Sequence, residues 1–331
     1  MPEISVILPF YNAEQTIKRA VNSVLSQTFK DFEILAVNNN STDKSKQIIR
    51  ELSEKDKRLK ILNENKQGVV FASLKGLESA KSKFIARADA DDVWLPEKLM
   101  QQYTYMQEHP EVGVVSCRVN FIGNSENKGM RAYVEETNKY LTHTEIYLNR
   151  FSELQVINPT ILFRKSDAEK YEFYKEGNFP EDYELFLRWI EKGVKYHKLS
   201  DTLLDWYDSE NRLTRTDNRY SVNAFYRIKS KYLFRFLKEN NPFFPQIVVW
   251  GAGKLSKKRL KHLEDSGIQT KYFIDVDKNK IDDKNIISYK NIPHPGKIYI
   301  VNFVNNRGMR SKIRDFLISR NYIEGKNFII A

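Results

Sequence analysis

Through roughly its first 110 residues the chain switches repeatedly between short apolar runs and segments whose apolar residues recur every three or four positions. Residues 4–8 are an apolar run stopped by Pro9. Ile17, Ala20, Val21, Val24 and Leu25 then recur at helical intervals, and residues 32–37 form the next run, closed by Asn38-Asn39-Asn40-Ser41. Ser41-Thr42-Asp43 can cap a helix running to about Leu52. Residues 60–63, 69–80 and 84–88 continue as strand, helix and strand. Such alternation confines the chain to a mostly parallel sheet with helices on both faces. Ligands of these sheets collect outside the carboxyl ends of the strands, so the polar residues after each strand are the ones to read.

A second α/β pattern begins late. Gln246-Ile247-Val248-Val249-Trp250 enters Gly251-Ala252-Gly253, followed by a basic helix over residues 255–265, strands at 271–275 and 297–301, and a helix at 311–319. Between the two patterns, residues 222–237 read as one helix rich in Phe, Tyr, Lys and Arg. The expected division is therefore 1–215, a linker helix at 216–241, and 242–331.

Charge follows that division. The net charge is +11, yet residues 1–215 carry −2, so the excess lies in the linker (+4) and the last 90 residues (+9). A basic tail on a near-neutral body speaks of anionic partners, such as a lipid surface, or of an ordinary lysine-rich surface. A lone Cys117 excludes a disulfide scaffold and a multi-cysteine zinc site. No stretch approaches the roughly 18–20 apolar residues a membrane span needs, and Glu3 sits where a signal peptide would be basic. The expectation is a cytoplasmic protein.

Asp89-Ala90-Asp91-Asp92 directly follows Phe84-Ile85-Ala86-Arg87-Ala88. Three carboxylates in four residues at a strand's end repel one another, each pair at ~4 Å by about 1–4 kcal/mol. A divalent cation with oxygen ligands offsets that, taking one or two carboxylates and completing its shell with phosphates. Acidic residues before a helix also favour its dipole, which accounts for Asp92 but not for Asp89.

With these residues in view the sequence resembles the family 2 glycosyltransferases. The motifs are Ser5-Val6-Ile7-Leu8-Pro9-Phe10-Tyr11-Asn12-Ala13-Glu14, Ser23-Val24-Leu25-Ser26-Gln27-Thr28, and Ala86-Arg87-Ala88-Asp89-Ala90-Asp91-Asp92 with Leu95-Pro96-Glu97-Lys98-Leu99. Asn158-Pro159-Thr160 and Pro180-Glu181-Asp182-Tyr183-Glu184-Leu185-Phe186 follow in order. The resemblance covers about the first 200 residues. It implies a GT-A fold, a mixed sheet with helices on both faces, here followed by a small Rossmann-like domain. It also implies inverting transfer of one sugar from a nucleotide-sugar to an acceptor, with Mn2+ or Mg2+ held through the DxD motif.

By that resemblance Pro9, Tyr11, Asn12 and Glu14 receive the base and ribose, Tyr11 offering a stacking face. Asn39 stands where the family has an Asp that contacts the base, and its carbonyl accepts from a uracil imide. Lys66 and Gly68 line the donor pocket, Arg87, Asp89 and Ala90 lie by the ribose and diphosphate, and Asp91, then Asp92, hold the metal. Asp182, opening a helix at 183–192, is the base that takes the acceptor's proton, with Glu181 beside it. The family's closing Tyr-Arg-x-His segment is replaced by Trp206-Tyr207-Asp208-Ser209-Glu210-Asn211-Arg212, where Arg212 or Arg215 supplies the missing charge. The implied partners are a nucleotide-sugar, by family frequency a UDP-sugar, and a glycan or lipid-linked acceptor of surface polysaccharide synthesis. No nucleic acid is expected.

Competing readings are a sugar nucleotidyltransferase, which needs a glycine-rich, lysine-bearing loop absent from residues 9–14, and an inactive nucleotide-sugar-binding protein. A dehydrogenase built on Gly251-x-Gly253, with Ser256 at the third glycine position and Asp275 for the ribose, has too little fold to host it. Residues 242–331 read instead as an accessory module for packing, homo-oligomerisation or docking at an anionic membrane. The linker helix fits either an interface role or packing.

Overall fold

The computed structural model describes residues 1–124, 126–208, 212–277 and 285–331. It divides into two compact units, Met1–Ile146 with Gln155–Asp217, and Tyr147–Leu154 with Asn218–Ala331.

The first unit opens with β1 (Ile4–Phe10), whose seven residues are all buried, as a strand covered on both faces requires. Then come α1 (Ile17–Leu25), β2 (Phe32–Asn38), α2 (Ser45–Lys55), β3 (Leu59–Asn63), α3 (Val69–Ser79), β4 (Phe84–Arg87), β5 (Val93–Trp94) and α4 (Lys98–Glu108). They are followed by β6 (Val114–Ile122), α5 (Lys128–Thr137), α6 (His143–Asn149), β7 (Leu162–Arg164), α7 (Lys165–Tyr171), α8 (Glu181–Glu191), β8 (Tyr196–Tyr207) and α9 (Leu213–Thr216). The sheet order is β3-β2-β1-β4-β7-β6-β8-β5. The first four strands are parallel, but β7 runs antiparallel to both β4 and β6, and β5 antiparallel to β8. The sheet is thus mixed rather than mostly parallel.

Two local readings are corrected. Pro9 does not end β1, which continues to Phe10. The carbonyls of Glu3 and Ile7 bond towards β4, while Phe10 bonds towards β2. Pro9, of the Glu3 and Ile7 parity, therefore lacks its N–H on the side where β4 has already stopped. The helix expected from Ser41-Thr42-Asp43 begins at Ser45 instead, with Asp43 Oδ1 accepting from the Ser45 N–H at 2.9 Å. Close packing of α3 on β1 depends on Gly76, where a Cβ would lie 2.5 Å from Ile7 Cγ2.

The second unit contains α10 (Val222–Asn240), β9 (Gln246–Trp250), α11 (Lys254–Glu264), β10 (Gln269–Asp275), β11 (Ile286–Ser288), β12 (Ile300–Asn302), α12 (Arg307–Ser319) and β13 (Phe328–Ile330). Its five strands are all parallel, in the order β11-β10-β9-β12-β13, so the winding reverses between β9 and β12. Val248, Trp250, Ile274, Ile300, Ile313, Leu317 and Phe328 form its core. The aromatic stripe of α10 is spent on packing within this unit: Tyr232 and Phe236 are buried, and Phe236 meets Phe151 at 5.7 Å. Among the described residues no helix is long and apolar enough to cross a membrane.

Candidate active site

Three carboxylates meet in the turn after β4. Oxygens of Asp89, Asp91 and Asp92 lie within 4.8 Å of one another. Asp92 is buried; its Oδ1 accepts from the Tyr207 N–H at 2.9 Å, and its Oδ2 has no hydrogen-bond partner. Burial, reinforced by Asp89, pushes Asp91 up to about 6, and burial with Asp91 beside it raises Asp92 well above the carboxylate range. An orphaned, buried carboxylate oxygen beside two further acids is a donor set that fits a hard divalent cation.

Arg87, only 2% exposed, pairs with Asp89 Oδ1 at 2.8 Å and donates to the Ala88 carbonyl. Burial opposes its charge, but Asp89, then Tyr174 and Glu181, raise its pKa nonetheless. Tyr174 is buried and donates to Asn158 Oδ1 at 2.5 Å, placing the Asn158-Pro159-Thr160 motif against the same group. The Tyr174 turn is gripped from α8: Arg188 donates to the carbonyls of Tyr171, Glu172 (2.7 Å) and Phe173 (2.6 Å) while pairing with Glu184 at 2.9 Å.

Asp182 lies in the first turn of α8, which begins at Glu181 rather than Tyr183. Its Oδ1 accepts from the Tyr183 N–H at 2.7 Å. Burial first, then the like charges of Glu181 and Asp89, push it up to about 7. Asp182 and Asp89 therefore share one electrostatic environment although 93 positions separate them. Glu181 is buried beside it.

The loops after β1 and β2 are laced together. Asn12 Oδ1 accepts from the Thr42 N–H at 2.8 Å, Glu14 Oε2 from the Lys44 N–H at 2.9 Å, and Asp43 Oδ2 from the Glu14 N–H at 3.0 Å. Asn12 and Glu14 thus shape the loop that leaves the Tyr11 ring 52% exposed, while Pro9 lies in β1 below it. Asn39 is tied to the next loop. It is 3% exposed, its Nδ2 donates to the carbonyls of Glu64 (3.0 Å) and Lys66 (2.8 Å), and its Oδ1 accepts from the Gly68 N–H at 2.7 Å. Its amide holds the β3–α3 loop. Lys66 is turned towards Glu176 (3.2 Å) and the Phe71 ring (3.8 Å). It lines an open cleft of about 630 Å³ with Phe71, Leu77, Lys165 and Glu169, which includes none of the clustered acids. Ala90 packs half-buried on the core.

Arg212 stacks on Trp206 at 3.8 Å and acts electrostatically on Asp91 and Asp92, whereas Arg215 is taken by Asp208 at 2.8 Å. Of the two candidates for the missing charge, Arg212 faces the acids. Ser209, Glu210 and Asn211 of that stretch lie outside the described residues. Sequence reasoning missed Arg19, which donates to the Asp91 carbonyl at 2.8 Å and stacks 3.6 Å over Tyr207, and it missed the Arg188–Tyr174 support. Only the polar break in α1's apolar spacing marked Arg19.

Comparison with known proteins follows this geometry. Residues 5–171 match the family model described as Glycosyl transferase family 2. The O-antigen biosynthesis glycosyltransferase WbnJ of Escherichia coli is 29% identical over 245 residues, 71% of this chain and 89% of that protein. An uncharacterized glycosyltransferase of Methanocaldococcus jannaschii is 27% identical over 254 residues, 75% of this chain and 86% of that one. Among solved structures, S. aureus TarS 1-349 in complex with UDP-GlcNAc superposes with a TM-score of 0.57 at 19% identity, covering 80% of each chain. A mannosyltransferase of Pyrobaculum calidifontis, in complex with GDP-Man and Mn2+, gives 0.51 at 17% identity, covering 72% of this chain and 64% of that one.

Proposed function

The chain belongs to glycosyl transferase family 2 and has its GT-A fold, and from that premise we propose that it moves one sugar, with inversion, from a UDP-sugar to a hydroxyl of a glycan or lipid-linked acceptor. The observation that carries the proposal is the convergence of Asp182 with the Asp89–Asp92 turn in one electrostatic environment. TarS with UDP-GlcNAc supports the donor, and WbnJ supports surface polysaccharide as the product.

Asp91 and Asp92, with Asp89 alongside, would hold Mn2+ or Mg2+. When bound, that ion supplies positive charge against the negative charge growing on the leaving diphosphate. Arg87 fixes Asp89 and is itself fixed by Tyr174, so the turn presents its acids without reorganising. Arg19 holds the same turn by its backbone, and Arg212 adds positive charge at its edge. Tyr11 offers an exposed ring to the base, with Asn12 and Glu14 setting the loop around it. Asp182 accepts the acceptor's proton; a pKa about 7 leaves it both ionised near neutrality and basic enough for the task. Catalysis is assigned to residues 1–215, with 216–241 as linker helix and 242–331 as a Rossmann-like accessory domain. The protein works in the cytoplasm, at the inner face of the membrane where the acceptor is lipid-linked, with self-association available through the accessory domain.

A thermal-shift and product screen of nucleotide-sugars with Mn2+ tests this reading. UDP-sugars are expected to stabilise the chain in a Mn2+-dependent way and to release UDP with an acceptor present. A preference for GDP-mannose would replace the base. Release of pyrophosphate would mean a nucleotidyltransferase, and binding without turnover an inactive binder.

A further inference from the structure

The second unit carries a buried group of cations that the transfer reaction does not use. Lys229 of α10, Arg259 of α11 and Arg310 of α12 are 4%, 6% and 4% exposed. They converge on shared partners. Lys229 Nζ lies 3.9 Å from the centre of the Tyr226 ring and the Arg259 guanidinium 4.5 Å from it, so the two charges stand no farther apart than those distances combined. Arg259 reaches the Phe303 carbonyl at 3.4 Å, and Arg310 the carbonyl and side chain of Asn305 at 3.0 and 2.9 Å. Phe303 and Asn305 belong to the segment leaving β12.

Compensation is short. Among the described residues Glu153 is the acid that reaches this group, and it is bidentate to Arg307 at 2.8 and 3.1 Å, with Arg310 a distant 3.5 Å away. Among the described residues, three buried donors of this group have no partner: Arg259 Nε, Arg310 Nε and Asn302 Nδ2. Asn302 ends β12, is fully buried, and accepts from the Val304 N–H at 3.1 Å through the other atom of the same carboxamide, which fixes its free N–H at the strand's carboxyl end. Buried donors are normally satisfied, and buried charge is normally paired. Lys229 is held well below the usual lysine range by burial and by the two arginines.

The location has its own logic. β9 and β12 are the neighbours between which the winding reverses, and open parallel sheets take ligands in that crevice. The loop leaving β9 is built tightly: Gly251 has φ +105°, and a Cβ there would lie 2.8 Å from Ser256 Oγ and 3.1 Å from Val304. Next to it the start of α11 is open, with no side-chain cap and no atom within 4 Å of a Cβ at Gly253. Asp275 is spent largely on the backbone, its oxygens accepting from the N–H groups of Ala252 (2.9 Å), Val276 (2.8 Å) and Asp277 (3.0 Å).

We propose that the second unit binds a phosphoryl group at the carboxyl edge of its sheet, where β9 and β12 part, held by Lys229, Arg259, Arg310 and the Asn302 amide. Tetrahedral oxygens answer the forked donors of two helices and the amine of a third, and the negative charge answers cations that, among the described residues, share one carboxylate. The site draws on none of the acids of the first unit and needs no divalent ion.

The full chain is titrated with inorganic phosphate in EDTA, against chloride at equal ionic strength, by calorimetry and by melting temperature. Phosphate is expected to bind and to raise the melting temperature, and Arg259→Gln is expected to weaken it at least tenfold. Lys229→Met replaces a buried amine, which a bound phosphoryl group would hold protonated, with an apolar side chain of similar length, so it remains folded while losing the phosphate-dependent gain; Asp91→Ala keeps that gain. A nucleoside monophosphate binding at least tenfold tighter than phosphate assigns the phosphoryl group to a nucleotide, and equal affinities assign it to free phosphate. Equal effects of phosphate and chloride, unchanged affinity in both cation variants, or loss of the gain in Asp91→Ala would overturn the proposal.

Discussion

The turn after β4 gathers Asp89, Asp91 and Asp92, whereas the end of β12 gathers Lys229, Arg259 and Arg310. Each group follows a parallel strand and each is under-compensated, but the two respond differently. Carboxylates can take up protons, and burial already moves Asp91 up to about 6. Guanidinium groups cannot shed theirs. In the basic group only Lys229 can yield, and its lowered pKa records that. A buried acidic cluster can be tuned by pH as well as by a cation; a buried arginine cluster is answered only by an anion.

Substitutions can break or sharpen that contrast. The largest effect is expected of Asp182→Asn, where losing the base cuts transfer by about 10²–10⁴ while donor affinity with Mn2+ stays within about threefold. Transfer by the unaltered chain should also rise with pH through a limb near 7, where Asp182 ionises, and fall as pH drops through it. A normal rate in the variant removes the proposed base. Next is Arg188→Leu, which takes the buried cation from Glu184 and frees the Tyr174 turn. Breaking a buried pair this way costs about 3–5 kcal/mol, readable as a lower denaturation midpoint. If stability is unchanged, paired and unpaired buried charges do not differ here as argued.

Asp91→Ala should weaken Mn2+-dependent binding of a nucleoside diphosphate by roughly 10–100-fold, and unchanged titration heats would count against the acidic turn. The smallest effect concerns buried lysines. Burial lowers Lys98 to about 8 and Lys198 to about 7, and it lowers Lys229 as well. The unfolded chain then binds more protons between these values and the ordinary lysine range, so stability rises with pH across that window and is lost as pH falls towards the folded values. Lys229→Met should flatten the slope, and a slope of opposite sign would refute the account.

Legibility in the sequence followed the range of the interaction. β1, β2 and β4 announced themselves as apolar runs because each is buried along its whole length. The acidic turn was visible because its three members are consecutive or nearly so, and Asp182 because it stands at a helix start within a motif. The reversal of β7 was not visible: three residues, Leu162–Arg164, carry no direction in their composition. Arg19, Tyr174 and Arg188 were equally silent, since the turns they hold lie 15 to 87 positions away and meet them only through folding. The basic group of the second unit is scattered over α10, α11 and α12, so along the chain it looks like an ordinary lysine- and arginine-rich surface.

The inward turn of Asn39 carries a consequence for how this chain can change. An aspartate at that position, which the family's usual pattern would favour, could still receive the Gly68 N–H, but it would face the carbonyls of Glu64 and Lys66 with nothing to give them. Asn39→Asp would therefore pit oxygen against oxygen and loosen the neighbouring loop. Position 39 and residues 64–68 thus act as one unit, and a change at either is felt by the other.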